Sequence, residues 1–337
     1  MELFAIAVAD AMRRQPDLEV RLVFKIVAGF DIQPALRARC ADLGLDAYFC
    51  ERGSRALLGH LRWADLVHAN NCSPDILLGA KVLGKALVVT VHNWRRAGGG
   101  LRQRLWKLGH DLADARTYNS RFVMDTWQAA RPLPCSRVIP AVTHFGGQRV
   151  ASESRRGFFF IGRWIEGKGI GELIEAYAMA DLDRAAWPLT LAGDGPLRPA
   201  LTERIAALGV PGLTVTGLIA EADKYARLAS AKWLVCPPNT REDMGLTPIE
   251  ARYLGLPSIV TVDGGVPEAA GPWALFCPPG NVAALAHALE LAASLPESVY
   301  QWRAAGAERS LDGYLQPLSV YADIYAEVMR SRQTSSR

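Results

Sequence analysis

The stretch KWLVCPPNTREDMGLTPIEARYLGLPSIVTV, residues 232–262, reads as strand, loop, helix and strand. The run at 232–238 is short and apolar, 247–255 has helical composition, and 257–262 is apolar again. That succession within about thirty residues is a parallel crossover unit. Two carboxylates, Glu242 and Glu250, stand eight positions apart inside it. Thr247-Pro248-Ile249-Glu250 has the form of a capping box, with Thr247 as N-cap and Pro248 in the first turn. The box accounts for Glu250 without a ligand. Glu242 lies ahead of the helix and has no such explanation.

The same alternation extends in both directions. Downstream of a polar segment, strands are expected at 158–162, 189–193 and 213–217, with helices at 169–180, 196–209 and 221–230. Upstream, 20–27, 66–70, 86–93 and 115–120 read as parallel strands or their ends. Residues 137–157 are polar, carry Gly and Ser, and have no clear period, so they read as a linker. The expected fold class is therefore α/β, with two Rossmann-like doubly wound domains facing a cleft. The expected division is 1–148 for a first domain and 149–312 for a second. A C-terminal helix at 313–330 would pack back on the first domain, and 331–337 would be a disordered tail.

Composition narrows the class. Apolar residues make up 50% of the chain and charged residues 21%, as in ordinary globular proteins. The net charge of +4 is too small to argue for nucleic acid. Six cysteines are scattered without a C-x-x-C pair, which argues against a zinc site or disulfide framework and for a reducing compartment. No apolar run approaches the ~18 residues of a membrane span. MELFAIAVADAM at the start has no basic flank and reads as an amphipathic helix. The expected location is cytoplasmic.

Several strand ends carry unusual residues. In FFFIGRWIEGKGIGELIEA, Arg163 follows a strand and Lys168 precedes a glycine and a helix. Free N–H groups and the positive end of a helix dipole converge at such a turn, and two cations there suit a diphosphate. A solvated turn with ordinary surface cations is the other reading. In LAGDGPLRPAL, Gly193, Asp194 and Gly195 turn the chain. That is a structural turn unless a ligand comes close to the backbone. Glu242 in its loop can accept two hydrogen bonds from vicinal hydroxyls of a sugar or ribose, with Gly245 admitting close approach. Carboxylates for hydroxyls and cations for phosphates on one rim imply a nucleotide sugar. Asp181-Leu182-Asp183 has the D-x-D form of metal-dependent transferases but falls between a helix and a strand and reads as a decoy.

GRWIEGKG, AGDGPLR, the E-x7-E element from Glu242 to Glu250 and DGGVPE stand in the order and spacing of the family 4 retaining glycosyltransferases of the GT-B fold, which this chain resembles over most of 60–330. The resemblance implies that Arg163 and Lys168 hold the donor diphosphate and that Glu242 lies beside the transferred sugar. It implies that Gly193 is part of the donor site, that backbone at Gly245 and Leu246 contacts sugar and phosphates, and that Glu250 holds the ribose. His92, ending the run VVTVHN, would sit near the reacting centre, although a lone histidine after a strand is as readily structural. No cofactor and no catalytic metal are implied. The partners implied are a nucleotide sugar and a glycan or lipid-linked acceptor.

HNWRRAGGGLRQRLWKLGHD mixes Arg95, Arg96, Arg102, Arg104 and Lys107 with Trp94, Leu101, Leu105, Trp106 and Leu108. A basic helix bearing tryptophan and leucine can lie in a membrane interface, giving a peripheral place on the inner face of the cell membrane. A basic surface helix over a core edge is the alternative. One departure from the family pattern stands out: its opening strand and glycine loop have no counterpart, because residues 3–14 already read as the first helix. A non-catalytic nucleotide-sugar-binding subunit with a reduced first domain is therefore the competing reading. An epimerase or phosphorylase on the same fold is a third, disfavoured by the E-x7-E element and by the lack of a lysine motif for pyridoxal phosphate.

Overall fold

The computed structural model describes the chain except residues 27–31, 72–73, 97, 99, 129–131, 149 and 336–337. It divides into two units, one comprising Met1–Thr143 with Leu315–Arg337, the other His144–Tyr314. The division falls five residues before the expected 148/149 boundary, within the segment read as a linker.

The first unit runs α1 (Glu2–Met12), β1 (Leu22–Ile26), α2 (Pro34–Asp42), β2 (Ala47–Glu51), α3 (Arg55–Trp63), β3 (Leu66–Asn70), α4 (Pro74–Val82), β4 (Ala86–Val91), α5 (Leu101–Asp111), β5 (Ala115–Tyr118), α6 (Arg121–Gln128) and β6 (Ser136–Val138). All its strand pairs are parallel, but they form two sheets, β1-β2 and β3-β4-β5-β6. The inner strands β4 and β5 are buried along their whole length, as parallel strands covered on both faces should be. β1 is only half-buried, although its sequence, LVFKI, is as apolar as a central strand's. It ends one sheet as β3 ends the other, and the two are not paired. Helix α1 precedes β1 in the chain.

The second unit runs β7 (Arg156–Ile161), α7 (Ile170–Met179), β8 (Leu189–Ala192), α8 (Arg198–Leu208), β9 (Leu213–Gly217), α9 (Glu221–Ser230), β10 (Ala231–Cys236), α10 (Leu246–Tyr253), β11 (Ser258–Thr261), α11 (Val266–Ala270), β12 (Leu275–Cys277), α12 (Val282–Ser294) and α13 (Glu297–Arg309). Its six strands lie in the order β12-β11-β10-β7-β8-β9, all parallel. This is the doubly wound order, and the direction of strand addition reverses between β7 and β10. Ligands of such sheets bind outside the carboxyl ends of the strands at that reversal. The core on one face is built on Phe158, Phe160, Trp164, Tyr177 and Trp233, all essentially inaccessible.

The last helix, α14 (Val320–Ser335), belongs to the first unit. Tyr321, Ile324 and Val328 pack with Phe4, Val8 and Met12 of α1 and with Ala86 and Val88 of β4. Tyr325 Oη lies 2.6 Å from His68 Nδ1, and Tyr321 Oη lies 3.1 Å from Thr117 Oγ1. The expectation of a disordered tail from residue 331 is corrected: the helix continues to Ser335. Arg332 holds it there by donating to Gly84 O at 2.6 Å and Lys85 O at 3.2 Å, beside Asp114. Among the described residues no helix is long and apolar enough to cross a membrane.

Candidate active site

At the carboxyl edge of the second sheet, four successive loops are packed backbone against backbone. They follow β8, β7, β10 and β11, which are neighbours in that order. Trp164 N donates to Asp194 O at 2.8 Å, joining the β7 loop to the β8 loop. Gly193 makes this approach possible: at φ +115°, a Cβ there would lie 1.9 Å from Gly162 O. Asn239 N donates to Gly167 O at 3.1 Å, joining the β7 and β10 loops, and Gly265 N donates to Glu242 O at 2.8 Å, joining the β10 and β11 loops. A Cβ at Gly265 would stand 2.3 Å from Asp243 O. The glycines that looked like ligand-approach positions are thus first of all positions where one loop of the chain admits the next.

This stacking places the charged groups. Lys168, just ahead of α7, donates to Glu242 Oε1 at 2.7 Å across 74 residues of sequence. The two come from the loops after β7 and β10, the pair that flanks the reversal in strand order, which is why residues so far apart meet. Arg163 stands on the same loop as Lys168, exposed, between Gly162 and the buried Trp164. On the next loop Asp194 accepts from Gly195 N at 2.7 Å and from Arg198 Nη1 at 2.7 Å, and these bonds hold its carboxyl below its ordinary range.

Glu250 requires a correction. Helix α10 begins at Leu246 with Gly245 as N-cap and no side-chain cap. Thr247 is therefore inside the helix, and the capping box does not form. The Glu250 carboxylate, only 4% exposed, turns instead to α9, where Lys224 Nζ donates to Oε1 at 2.8 Å and Tyr225 Oη at 3.3 Å. Burial and the adjacent carboxylate push the Tyr225 phenol well up. Lys224 and Tyr225 escaped the sequence reading because 26 and 25 residues separate them from Glu250 in an otherwise ordinary amphipathic helix. Leu246 is exposed at the start of α10, and Gly245 is tucked against Ala269 and Pro248.

His92 lies in the first unit, directly after β4, and is 7% exposed. Its Nε2 is 2.9 Å from Asn70 Oδ1, its N–H donates to Asn71 Oδ1, and its carbonyl accepts from Asn119 Nδ2. The Phe4 ring meets it edge-on at 5.4 Å. Burial, then the positive chain start, lowers its pKa from 6.5 to about 4, so the ring is neutral at pH 7.

The basic segment after His92 also divides differently from expectation. Trp94 and Trp106, read as membrane-facing, are half-buried and pack on the core of the first unit. The guanidinium groups of Arg96 and Arg102 lie over those rings at 5.2 and 4.9 Å from the centroids. Arg95 N donates to Thr126 Oγ1, and Lys107 pairs with Asp111 at 2.5 Å. Arg102 and Arg104 are exposed. Among the described residues no group of three or more His, Cys, Asp or Glu is placed to hold a metal ion. Asp183 of the D-x-D triplet accepts from Ala185 N at 3.0 Å and closes its own turn.

The family model "Glycosyl transferases group 1" matches residues 147–309, and the model "Glycosyltransferase Family 4" matches 8–141. A relative from Mycolicibacterium hassiacum, MMP alpha-(1->4)-mannosyltransferase, is 25% identical over 283 residues, covering 77% of this chain and 68% of that protein. The GDP-mannose-dependent alpha-(1-6)-phosphatidylinositol dimannoside mannosyltransferase of Mycobacterium tuberculosis is 28% identical over 130 residues, 35% of this chain and 33% of its own. The chain thus spans about two thirds of the first relative and one third of the second. Among solved structures, HepE of Anabaena in complex with UDP superposes with a TM-score of 0.75 at 16% identity, covering 99% of this chain and 95% of HepE. The lipopolysaccharide outer core galactosyltransferase WaaB gives 0.71 at 15% identity, with 98% and 95% covered.

Proposed function

Because the chain belongs to the family 4 glycosyltransferases and has the GT-B fold, we propose that it moves a hexose from a nucleoside-diphosphate sugar to an acceptor hydroxyl with retention of anomeric configuration. The observation that carries this reading is the meeting of Lys168 with Glu242 on glycine-stacked loops at the strand-order reversal.

Breaking the glycosidic bond to the diphosphate leaves positive charge on the sugar and negative charge on the leaving oxygens. In the proposal Lys168 and Arg163 meet that negative charge, helped by the N–H groups that open α10 after Gly245. Fixed donors of this kind need no reorganisation as the charge develops. Glu242 accepts from hydroxyls of the transferred sugar, and its ion pair with Lys168 holds both groups in place. Glu250 accepts from the ribose through the oxygen that Lys224 does not occupy. His92, neutral and bonded to Asn70, is assigned no proton transfer. No cofactor or metal is assigned a role. The acceptor is a glycan or lipid-linked glycan of cell-surface polysaccharide or glycolipid synthesis, in keeping with a relative named for a phosphatidylinositol dimannoside.

The test begins with a thermal-shift screen of UDP- and GDP-sugars, since a ligand of the folded state raises the melting temperature. With the donor found, release of nucleoside diphosphate is followed. Lys168→Ala should lower release about 100-fold or more, as removal of one transition-state donor does elsewhere, and Glu242→Gln, which removes the charge that pairs with Lys168, should lower it as well. Full activity in both variants would refute the assignment. The split sheet of the first unit favours one second reading, a donor-binding subunit without transfer. Calorimetric binding with no diphosphate release under any acceptor would establish it.

A further inference from the structure

We propose that the outward face of α5 docks on an anionic lipid surface. At 100° per residue, Leu101, Leu108 and Leu112 fall within about 40° of one another on the helix circumference. They are 74%, 47% and 44% exposed. His110, on the opposite face, is buried, and Gly109, about 80° round from Leu101, abuts Leu77 of α4 so closely that a Cβ would lie 2.5 Å from it. The leucine stripe thus lies outside the arc from Gly109 to His110 that the fold buries, and stays exposed.

Charge selects the occupant. Residues 93–112 hold five of the chain's 38 lysines and arginines and one of its 34 acids, leaving 33 of each elsewhere. The entire formal excess of +4 thus resides in this one segment. Its single acid, Asp111, is already matched by Lys107. Arg102 and Arg104 flank the stripe on either side and are exposed. Exposed leucines between arginines, on a helix whose Trp106 is spent on the core, match the interfacial zone of a bilayer with acidic headgroups. An acidic headgroup meets the guanidinium groups while the leucines enter the acyl boundary. This inference is independent of the transfer reaction, because its readout is partition and not turnover.

The test is flotation of the full chain with phosphatidylglycerol–phosphatidylcholine vesicles. The protein is expected to float with them, to partition at least tenfold less onto pure phosphatidylcholine, and to be released by 0.5 M salt, a concentration on the order of that needed to screen surface charge. Leu101→Ser/Leu108→Ser/Leu112→Ser and Arg102→Glu/Arg104→Glu should each lower partition at least tenfold with unchanged melting temperature. All of these side chains are exposed, so folding is spared. Failure of the unaltered chain to float, or equal flotation of the variants, overturns the proposal. So does a dimer, seen by light scattering, that the leucine variant dissolves while vesicles are ignored: the stripe would then be covered by a second copy.

Discussion

Gly265→Ala isolates the loop stack from every other effect. Gly265 has φ −86°, a conformation open to any residue, so alanine brings no backbone strain. The cost comes only from space. The new Cβ would stand 2.3 Å from Asp243 O, against 3.4 Å for ordinary contact, so the 242–244 backbone must retreat by about 1 Å. Gly265 N also donates to Glu242 O, so the retreat moves the carboxylate that pairs with Lys168. Overpacking of this size costs about 1–3 kcal/mol of stability, or roughly 2–10 °C in melting temperature for a unit of this length. Displacement of a positioned group by 1 Å costs on the order of 100-fold in rate. The assay is nucleoside-diphosphate release beside a thermal melt. Gly59→Ala in α3 is the control: that glycine is exposed in a helix with nothing within 4 Å of an added Cβ. It should be neutral or gain up to about 1 kcal/mol. A Gly265→Ala protein within twofold of the unaltered rate, melting at the same temperature, would refute the reasoning that the glycines hold Glu242 in place.

Lys224→Met leaves the nearly inaccessible Glu250 carboxylate without its cation and should destabilise the chain by about 2–4 kcal/mol in urea titration. Adding Glu250→Gln to that variant should restore part of the loss; a double variant worse than the single would show that the pair is not coupled. Acid should weaken the fold well above the carboxylate range. His92 and His110 are buried, and burial is the largest cause lowering each pKa from 6.5 to about 4. The unfolded chain therefore takes up protons first, and their contribution, whole above pH 6.5, is lost as pH falls toward 4. At pH 5 the loss is up to about 2 kcal/mol for each group. Urea titrations at pH 7.5 and 5.0 measure it, and identical stability at the two values would contradict the burial of these rings.

Much of the second unit was legible because its signals are local. Strands at 213–217 and 189–192 sit where short apolar runs end in glycine, and α9 spans 221–230 as its periodicity indicates. Three strands were not legible. β2 reads AYFCE, with a terminal glutamate and half-buried side chains; β6 and β12 have three residues each, too few to show a period. The tail failed for a different reason. Ser, Gln, Thr and Arg at 331–335 have the composition of a disordered end, but Arg332 finds three acceptors supplied by residues 84, 85 and 114. No local pattern announces that.

The candidate site shows the same division between local and distant causes. Lys168 could be named because glycines flank it in the loop after a strand, and Glu242 because it lies in such a loop three residues before Gly245; loops next to an order reversal meet whatever lies between them in the chain. What could not be read was the reason for the glycines. In the sequence a glycine beside a cation suggests room for a phosphate. In the fold, Gly193 and Gly265 are filled by the carbonyls of Gly162 and Asp243. The two explanations are not rivals. A loop can present N–H groups to a ligand only if its other side is braced, and bracing by a neighbouring backbone excludes any Cβ at the contact. The Glu250 error has the same origin. Thr-x-x-Glu is a cap only when the threonine stands at the N-cap, and here Gly245 takes that position two residues earlier. Freed from capping, the carboxylate reaches Lys224 on a helix whose own sequence carries no mark of it.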